Sequence, residues 1–442
     1  MTLLRKDAKR LVDKVLAQAS VGDLRVQVSA SKRGHLRYGA GRPTTSGDVD
    51  GVTLAVTASK GRRTATVTGS RTDDAAVAEL VRRAEGLAEL SPEDPEHMPP
   101  LAEASYPKVR AEDKAVTRLD PGARAELVGR AIRRAEADGV AAAGLLEHEQ
   151  LATAVGNRSG LFAHHACTQV SLSATCRTED GTGSARAGFV SHALSGLVPE
   201  ILVSDAAQRA KRSQLPAPRD PGRYPVILAP QAVADLLDVF VGGLDARRAD
   251  EGRSAFSRKG GGNLVGDALF DSRVELWSDP ADPNDPASPF DRGGRPHRKV
   301  KWVEGGVLRA LHNSRYWADK QGLEDLPMPS SLHMGGGTDD LDALVSGFDR
   351  GILISRFWYI RMLDPQQLLV TGLTRDGTFW IDKGKVVEPV RNFRFNDSPL
   401  TLLRKVVALG RPQRAGLSTE RVTVVPPLVV SEFELSSVSD AV

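Results

Sequence analysis

Cysteine, long apolar runs and an excess of charge of one sign are all scarce in this sequence. Only Cys167 and Cys176 occur among 442 residues, which argues against a disulfide framework and predicts a reducing, cytoplasmic location. No stretch is apolar enough to predict a membrane span. Lys and Arg number 59 against 56 Asp and Glu, and this interspersed net charge of +3 predicts no nucleic-acid-binding patch.

The N-terminal half predicts helices and antiparallel strands. Apolar residues recur at helical spacing over residues 3–19, where seven charged residues leave no room for the apolar core of a signal peptide. The following alternating or β-branched segments predict strands at 25–31, 35–38, 51–59 and 62–70, and later at 141–155 and 160–177. Further helices are predicted at 73–88 and 121–138, and a proline-rich loop is predicted at 91–107.

A proline-rich joint divides the chain. Residues 214–225 read QLPAPRDPGRYP, with four prolines in twelve residues, which is typical of a segment between domains. The second half opens with a buried strand at 226–229 and a helix that begins near Pro230. Short alternating segments separated by Gly- and Asp-containing turns follow. The sequence therefore predicts an α+β protein with an N-terminal domain (1–215) of antiparallel sheet and helices and a β-rich C-terminal domain (222–442).

Familiar catalytic motifs are missing. A zinc peptidase places two His on one helix face beside a Glu that activates water, but the only His-Glu pair, His148-Glu149, has Ala152 and Thr153 at the next-turn positions. Its surroundings predict a strand. The chain also contains no G-x-S-x-G elbow and no G-x-x-x-x-G-K-[ST] loop, which argues against an α/β-hydrolase and a P-loop nucleotidase.

One cluster could carry chemistry. His164, His165, Cys167 and Cys176 supply two imidazoles and two thiols, and strand alternation places His165 and Cys167 on one face with His164 on the other. A metal or redox role is one interpretation, and ordinary buried cysteines are the favoured one. The glycine run at 260–262 does not join a strand to a helix and predicts a flexible loop rather than a phosphate site.

Four segments of the second half resemble the TldD/PmbA family of metallopeptidase-related proteins. They are YPVILAPQAVADLLDVFVGGLDARRADEGRSAFSRKGG (224–261), SPFDRGGRPHRKVKWVEGGVLRALHNSRYWADKQG (288–322), PMPSSLHMGGG (327–337) and TRDGTFWIDKGKVVEPVRNFRFNDSP (374–399). The order and separation of these segments carry the resemblance. The N-terminal half is similar more loosely, in its opening helix and strands and in VGNRSGLFAHHACTQVSLSATC (155–176).

The chain departs from the zinc-binding branch of this family at both parts of the metal site. That branch has H-E-x-x-x-H on the helix after the first strand, where this chain has Asp238, Val239 and Gly243 at the ligand and catalytic positions. The segment Arg356–Tyr359 stands where the zinc branch has a glycine-rich run leading to a cysteine ligand. The resemblance therefore implies a TldE-like subunit that holds no cofactor of its own.

The resemblance also implies a partner and a substrate. A TldD-like subunit would hold the zinc, and the heterodimer would cleave unfolded or extended peptides such as toxin precursors or antitoxins. A β-rich cleft can take a peptide as an added strand. Candidate cleft residues in the matching segments are Phe290, Asp291, His312, Ser330, Ser331 and His333. Three of these six have a structural alternative: Phe290 as core, Asp291 as the start of a turn ending at Gly294, and His333 as a loop residue. Asp238, outside this set, is interpreted as an exposed polar residue or as a residue that faces the partner's active site.

Two other functions remain open at this stage. One is a stand-alone peptide-binding or regulatory protein, in keeping with the family's association with modulators of DNA gyrase. The other is a metal-independent enzyme of peptide natural-product maturation that uses His164, His165 and Cys167.

Overall fold

The computed structural model describes residues 3–418 and 421–439. The helices in this range are α1 (Arg5–Ala17), α2 (Asp74–Leu90), α3 (Lys114–Thr117), α4 (Pro121–Ala137), α5 (Pro199–Arg212), α6 (Pro230–Gly243), α7 (Ala246–Asp250), α8 (Arg315–Gln321), α9 (Leu341–Ser346) and α10 (Pro399–Arg404). None of these helices combines the length and the apolar character needed to cross a membrane.

The strands fall into two groups along the chain. Those of the first half are β1 (Asp23–Gly39), β2 (Arg42–Lys60), β3 (Arg63–Gly69), β4 (Ala141–Asn157), β5 (Phe162–Arg177) and β6 (Ser184–Ser191). Those of the second half are β7 (Gly222–Leu228), β8 (Leu276–Ser278), β9 (Val300–Glu304), β10 (Val307–Leu308), β11 (Ser331–Met334), β12 (Arg350–Asp364), β13 (Leu369–Asp382), β14 (Lys385–Pro389), β15 (Phe393–Asp397), β16 (Val406–Leu409), β17 (Gln413–Arg414), β18 (Val422–Val425) and β19 (Leu428–Val438).

The first half is one antiparallel sheet with helices on a single face. Its strand order is β3-β2-β1-β4-β5-β6. Successive side chains of a strand point to opposite faces, and here the even-numbered positions, such as Val26, Leu146 and Leu172, are fully buried beneath α1, α2, α4 and α5. The odd-numbered positions of β4 and β5 include polar side chains such as Thr153 and Gln169. This polar face is turned toward the second half of the chain.

Strand β1 is longer than the sequence pattern predicts. Two strands were expected, at 25–31 and 35–38, because Lys32, Arg33 and Gly34 interrupt the apolar alternation, but the backbone continues through them. A Cβ on Gly34 would lie 2.2 Å from Arg124 Nη1 and 2.3 Å from His148 Nε2. Glycine is required there because a buried arginine and a histidine cross the strand, so it does not mark a turn.

The second half contains two sheets. Strands β12, β7, β19, β15 and β13 form a ring that the pairing of β12 with β13 closes, while β14 and β16 add to its outside. The second sheet has the order β10-β9-β8-β11-β18-β17. Helix α6 packs with both sheets in one apolar core, which includes Phe240, Phe357 and Phe395. The predicted α+β class, with helices and an antiparallel sheet first and a β-rich second part, is confirmed, and the proposed boundaries at 215 and 222 stay a prediction.

A side-chain hydrogen bond and a close approach of two backbone segments join the two halves. The Tyr106 hydroxyl donates to the Gly294 carbonyl at 2.7 Å. Gly188 of β6 and Gly416 approach so closely that a Cβ on Gly416 would lie 1.8 Å from the Gly188 oxygen. The polar face of the first sheet is thereby held against the second half.

Candidate functional site

A cavity of about 810 Å³ lies between the polar face of the first sheet and the second half of the chain. Its wall from the first sheet includes Leu151, Thr153, His165, Cys167 and Gln169. Opposite them are residues of α6, the irregular part of β12, and loops around 286–288, 329–330 and 414–422. The two segments that the resemblance singles out, one on α6 and one on β12, thus meet in one cavity, because α6 and β12 are neighbours in the core.

The three positions on α6 that the resemblance aligns with the zinc motif do not fit a zinc ion. Asp238 is 74% exposed at the cavity mouth, and its Oδ1 accepts a hydrogen bond from Arg421 Nη1 at 2.8 Å. Val239 also lines the cavity, while Gly243 faces Leu368 instead. A zinc site needs three or four nitrogen, sulfur or oxygen ligands, and these three positions offer one carboxylate. Across residues 3–418 and 421–439, no group of three His, Cys, Asp or Glu side chains is arranged to hold a metal.

The carboxylate of a half-buried residue, Asp235, connects α6 with β12. Its Oδ2 accepts the Phe357 backbone N–H at 2.9 Å, and its Oδ1 accepts a bond from Gln231 Nε2 at 2.9 Å. The side-chain amide oxygen of Gln231, Oε1, in turn accepts a hydrogen bond from the Leu417 backbone N–H at 3.1 Å. Burial raises the pKa of Asp235 to about 6, against the opposing effect of its hydrogen bonds. The carboxyl group therefore fixes three segments of the cavity wall relative to one another.

Strand β12 is distorted where it borders the cavity. The pairing of β12 with β13 shifts register between Trp358 and Arg361, and Tyr359 adopts a left-handed φ of 56°. Non-glycine residues rarely adopt this conformation, and it tends to persist at functional positions. The bulge leaves Tyr359 60% exposed, with the Arg361 guanidinium 4.2 Å from its ring centroid. The indole of Trp358 lies beside it, so an aromatic pair forms the rim.

Three arginines reach the cavity wall, and each is held by a carboxylate. Arg356 pairs with Asp376 at 3.2 Å and Arg414 with Asp285 at 2.7 Å, while Arg421 pairs with Asp238. Asp285 and Asp376 lie behind the wall rather than in it. Arg356 Nε and Arg414 Nη2 find no acceptor among the described residues. The guanidinium groups of Arg356 and Arg414 are thus held by carboxylates outside the wall, while one nitrogen of each has no acceptor among the described residues.

The histidine and cysteine cluster divides as strand alternation predicts. His165 and Cys167 line the cavity, and His164 points to the helix-covered face, where its Nε2 lies 2.9 Å from the Leu3 carbonyl oxygen. Burial lowers the pKa of His165 to about 4 and raises the pKa of the Cys167 thiol to about 12. Cys176 is fully buried in the core beneath α5. Both cysteines are free thiols.

Of the six predicted cleft residues, the structure places Ser330 at the cavity, where its hydroxyl donates to the Ser288 carbonyl at 3.0 Å. The other five lie outside the cavity wall. Phe290 packs edge-on against Tyr106, and Asp291 accepts the N–H groups of a turn that ends at Gly294. Ser331 is fully buried.

The two predicted cleft histidines are also core residues. His333 is buried and stacks on Trp277 with ring centroids 5.6 Å apart, and His312 is buried beside Asp245. Neither lines the cavity, because both belong to segments that pack inside the second half. A role of these side chains in peptide binding remains a prediction without a geometric basis in the cavity.

Sequence reasoning missed Asp235, His192 and Arg414. His192 and Arg414 lie in segments without a motif, whereas Asp235 lies on the helix of the motif positions but is not one of them. Each reaches the cavity through tertiary packing between segments distant along the chain. The one available signal was the carboxylate at helical position 235, a polar residue on the otherwise apolar stripe of α6.

Two family models match successive parts of this chain and define the class of protein to which it belongs. Residues 79–214 match the model of the PmbA/TldA metallopeptidase central domain, and residues 221–437 match that of the PmbA/TldA metallopeptidase C-terminal domain. Together these matches cover most of the chain. The chain is thus of the metallopeptidase-related class, and it belongs to the TldD/PmbA family.

Two curated proteins that are similar to this chain are named as metalloproteases. A metalloprotease of Methanothermobacter thermautotrophicus is 25% identical over 321 residues, which span 66% of this chain and 67% of that protein. A metalloprotease TldD homolog of Buchnera aphidicola is 24% identical over 207 residues, 43% of this chain, and the match spans only 41% of the Buchnera protein.

Solved structures share the fold across almost the whole chain. TldE from Thermococcus kodakarensis superimposes with a TM-score of 0.83 at 16% identity, covering 96% of this chain and 99% of that one. A Bacteroides thetaiotaomicron protein described as a modulator of DNA gyrase gives a TM-score of 0.84 at 18% identity, covering 99% and 100%. At these identities the likeness establishes the fold.

Proposed function

We propose that this chain is the peptide-binding, non-zinc subunit of a two-chain cytoplasmic metallopeptidase. One observation carries the proposal. The cavity of about 810 Å³ includes both segments that the resemblance aligns with the family's metal site, yet its α6 wall presents Asp238 at a ligand position and Val239 at the position of the catalytic Glu. A shaped cavity without the means to hold zinc suits a chain that presents substrate to a partner.

The cavity has the features that an extended peptide needs. Its size falls within the range of roughly 300–1,000 Å³ typical of ligand sites. Serine, threonine and glutamine side chains offer hydrogen bonds to a peptide backbone, and the aromatic rim of Trp358 and Tyr359 offers an apolar contact. Strand β17 is the edge strand of its sheet and contributes Arg414 to the wall, so a peptide could pair beside it. The substrate of the complex would be an unfolded or extended peptide.

The metal-independent alternative is disfavoured by the state of its residues. A cysteine nucleophile acts as a thiolate and needs a lowered pKa, whereas burial raises the pKa of Cys167 to about 12. His165, with a pKa of about 4, would be a weak general base.

The test is co-purification of this chain with a TldD-like protein from the same cell. Zinc content and digestion of casein are then measured for each chain and for the pair. The proposal expects zinc and proteolysis in the pair, with the zinc held by the TldD-like chain. It expects neither zinc nor proteolysis in this chain alone. Stoichiometric zinc or peptide cleavage in this chain alone would contradict it, and a chain that binds peptide but never a partner would favour the stand-alone regulatory function.

A further inference from the structure

Two neighbouring side chains of the cavity wall carry polar atoms without partners. Arg414 donates from Nε to Asp285 Oδ1 at 2.7 Å and from Nη1 to the Val190 carbonyl at 3.2 Å, and its Nη2 has no acceptor among the described residues. His192 Nδ1 likewise has no partner there. The two side chains are near enough for the charge of Arg414 to help burial lower the pKa of His192.

One nitrogen of this cavity-lining guanidinium, Nη2, is left without an acceptor among the described residues. Asp285 and Val190 accept from Nε and Nη1 and lie outside the cavity wall, so the side chain is fixed in place before any ligand arrives. A buried N–H without an acceptor is costly, and an anionic oxygen is the partner that relieves this cost best. Guanidinium groups recognise planar carboxylates through paired hydrogen bonds. His192 in its Nδ1–H form adds a second donor.

Apolar side chains lie next to this pair. The cavity is lined by Pro286, Ala287 and Leu417. Leu417 lies close to Gly188 of β6. Gly188 is two residues along the strand from Val190, whose carbonyl accepts the hydrogen bond from Arg414. A ligand with a carboxylate beside an apolar group fits both features. The last residue of a peptide has this chemistry.

We propose that Arg414 and His192 bind the terminal carboxylate of a peptide whose final side chains lie against Pro286, Ala287 and Leu417. The inference rests on the proposed function, because it specifies which end of the peptide occupies the cavity. A peptide held by its carboxyl end presents the bonds near that end at a fixed distance from the anchor.

The test measures binding of fluorescein-labelled Ala/Leu peptides to the purified chain alone by fluorescence anisotropy. Three probes are compared: one with a free terminal carboxylate, one with a terminal amide, and one amide with an internal Glu. The free acid should bind at least about tenfold more tightly than either amide, since charge-assisted hydrogen bonds are lost in the amide. Because no partner chain is present, the result does not depend on whether the two-chain proposal holds.

Two variants and a matched control locate the effect. Arg414→Gln and His192→Gln should each reduce the preference for the acid severalfold, and His192→Gln removes no hydrogen bond of Nδ1 to the described residues. Arg295→Gln is the control, because Arg295 is 17% exposed against 18% for Arg414, pairs with two carboxylates and lies outside this cavity. It should keep the preference.

Several outcomes would overturn the proposal. They are equal affinity for acid and amide, an amide with Glu that binds as tightly as the free acid, binding of none of the probes, and an acid preference that survives both cavity variants. Thermal unfolding of each variant separates loss of binding from loss of fold.

Discussion

At the scale of single residues, the environment of a side chain decides its chemistry more than its identity does. His165 and Cys167 look like a catalytic pair in the sequence and do share one face of β5. Burial nevertheless keeps the imidazole neutral and the thiol protonated, as the pKa values of about 4 and about 12 require. The reactivity of the Cys167 thiol therefore tests the hypothesis of a metal-independent enzyme.

We expect Cys167 to be a poorly reactive thiol. At pH 8 its thiolate fraction should be so small that alkylation by iodoacetamide is at least about a hundredfold slower than that of an exposed cysteine with the ordinary pKa of ~8.5. Cys176, fully buried with a pKa of about 11, should react no faster. Mass spectrometry over a time course, with the urea-unfolded chain as the fully reactive control, measures both rates. Rapid alkylation of folded Cys167 would revive the cysteine-enzyme hypothesis.

At the scale of elements, the sequence predicted what depends on local pattern. The helix beginning at Pro230, the strand around His148 and the alternation along β5 all follow from periodicity and proline placement, and the structure has them. The positions of Phe290, His312 and His333 could not be predicted, because a motif-bearing segment gives no information about which side chains point inward. The bulge at Tyr359 has no sequence signal, since glycine or asparagine is the residue expected at a left-handed φ.

Asp235 should contribute more to stability than its neighbour Asp238 on the same helix. Both partners of Asp235, the Phe357 N–H and the Gln231 amide, are donors, so Asp235→Asn leaves one donor opposed by an NH₂ group. An unsatisfied buried donor costs about 1–3 kcal/mol in the free energy of unfolding. Asp238→Asn is the matched control, because it weakens only an exposed ion pair worth about 0–1 kcal/mol.

Urea unfolding of the two variants measures this difference. Substitution at 235 should also loosen the Leu417 segment, since Gln231 links it to α6. A loss at position 235 no greater than that at 238 would show that the carboxylate does not hold α6 and β12 together.

At the scale of the whole molecule, histidines are concentrated in buried positions. Burial is the largest cause of a lowered pKa at six of the nine histidines, namely His148, His165, His192, His297, His312 and His333. These residues are spread over both halves of the chain. Protonation of the histidines therefore couples to the fold as a whole rather than to one site.

We expect the free energy of unfolding to fall as the pH is lowered below about 6.5, the ordinary pKa of histidine. The unfolded chain binds protons there while the folded chain, with its lowered pKa values, does not, so protons are taken up on unfolding. Each extra proton contributes a slope of about 1.4 kcal/mol per pH unit. Asp235, whose pKa is raised to about 6, acts in the opposite direction below pH 6 and cancels part of this slope.

Urea unfolding at pH 7.5, 6.5 and 5.5 checks the sign and the size of this dependence. The His333→Gln variant should show a shallower slope than the parent chain, because one buried imidazole no longer takes up a proton on unfolding. Stability that rises as the pH is lowered from 7.5 to 5.5 would mean that the folded chain binds more protons than the unfolded chain in this range. That result would contradict the lowered pKa values of the buried imidazoles.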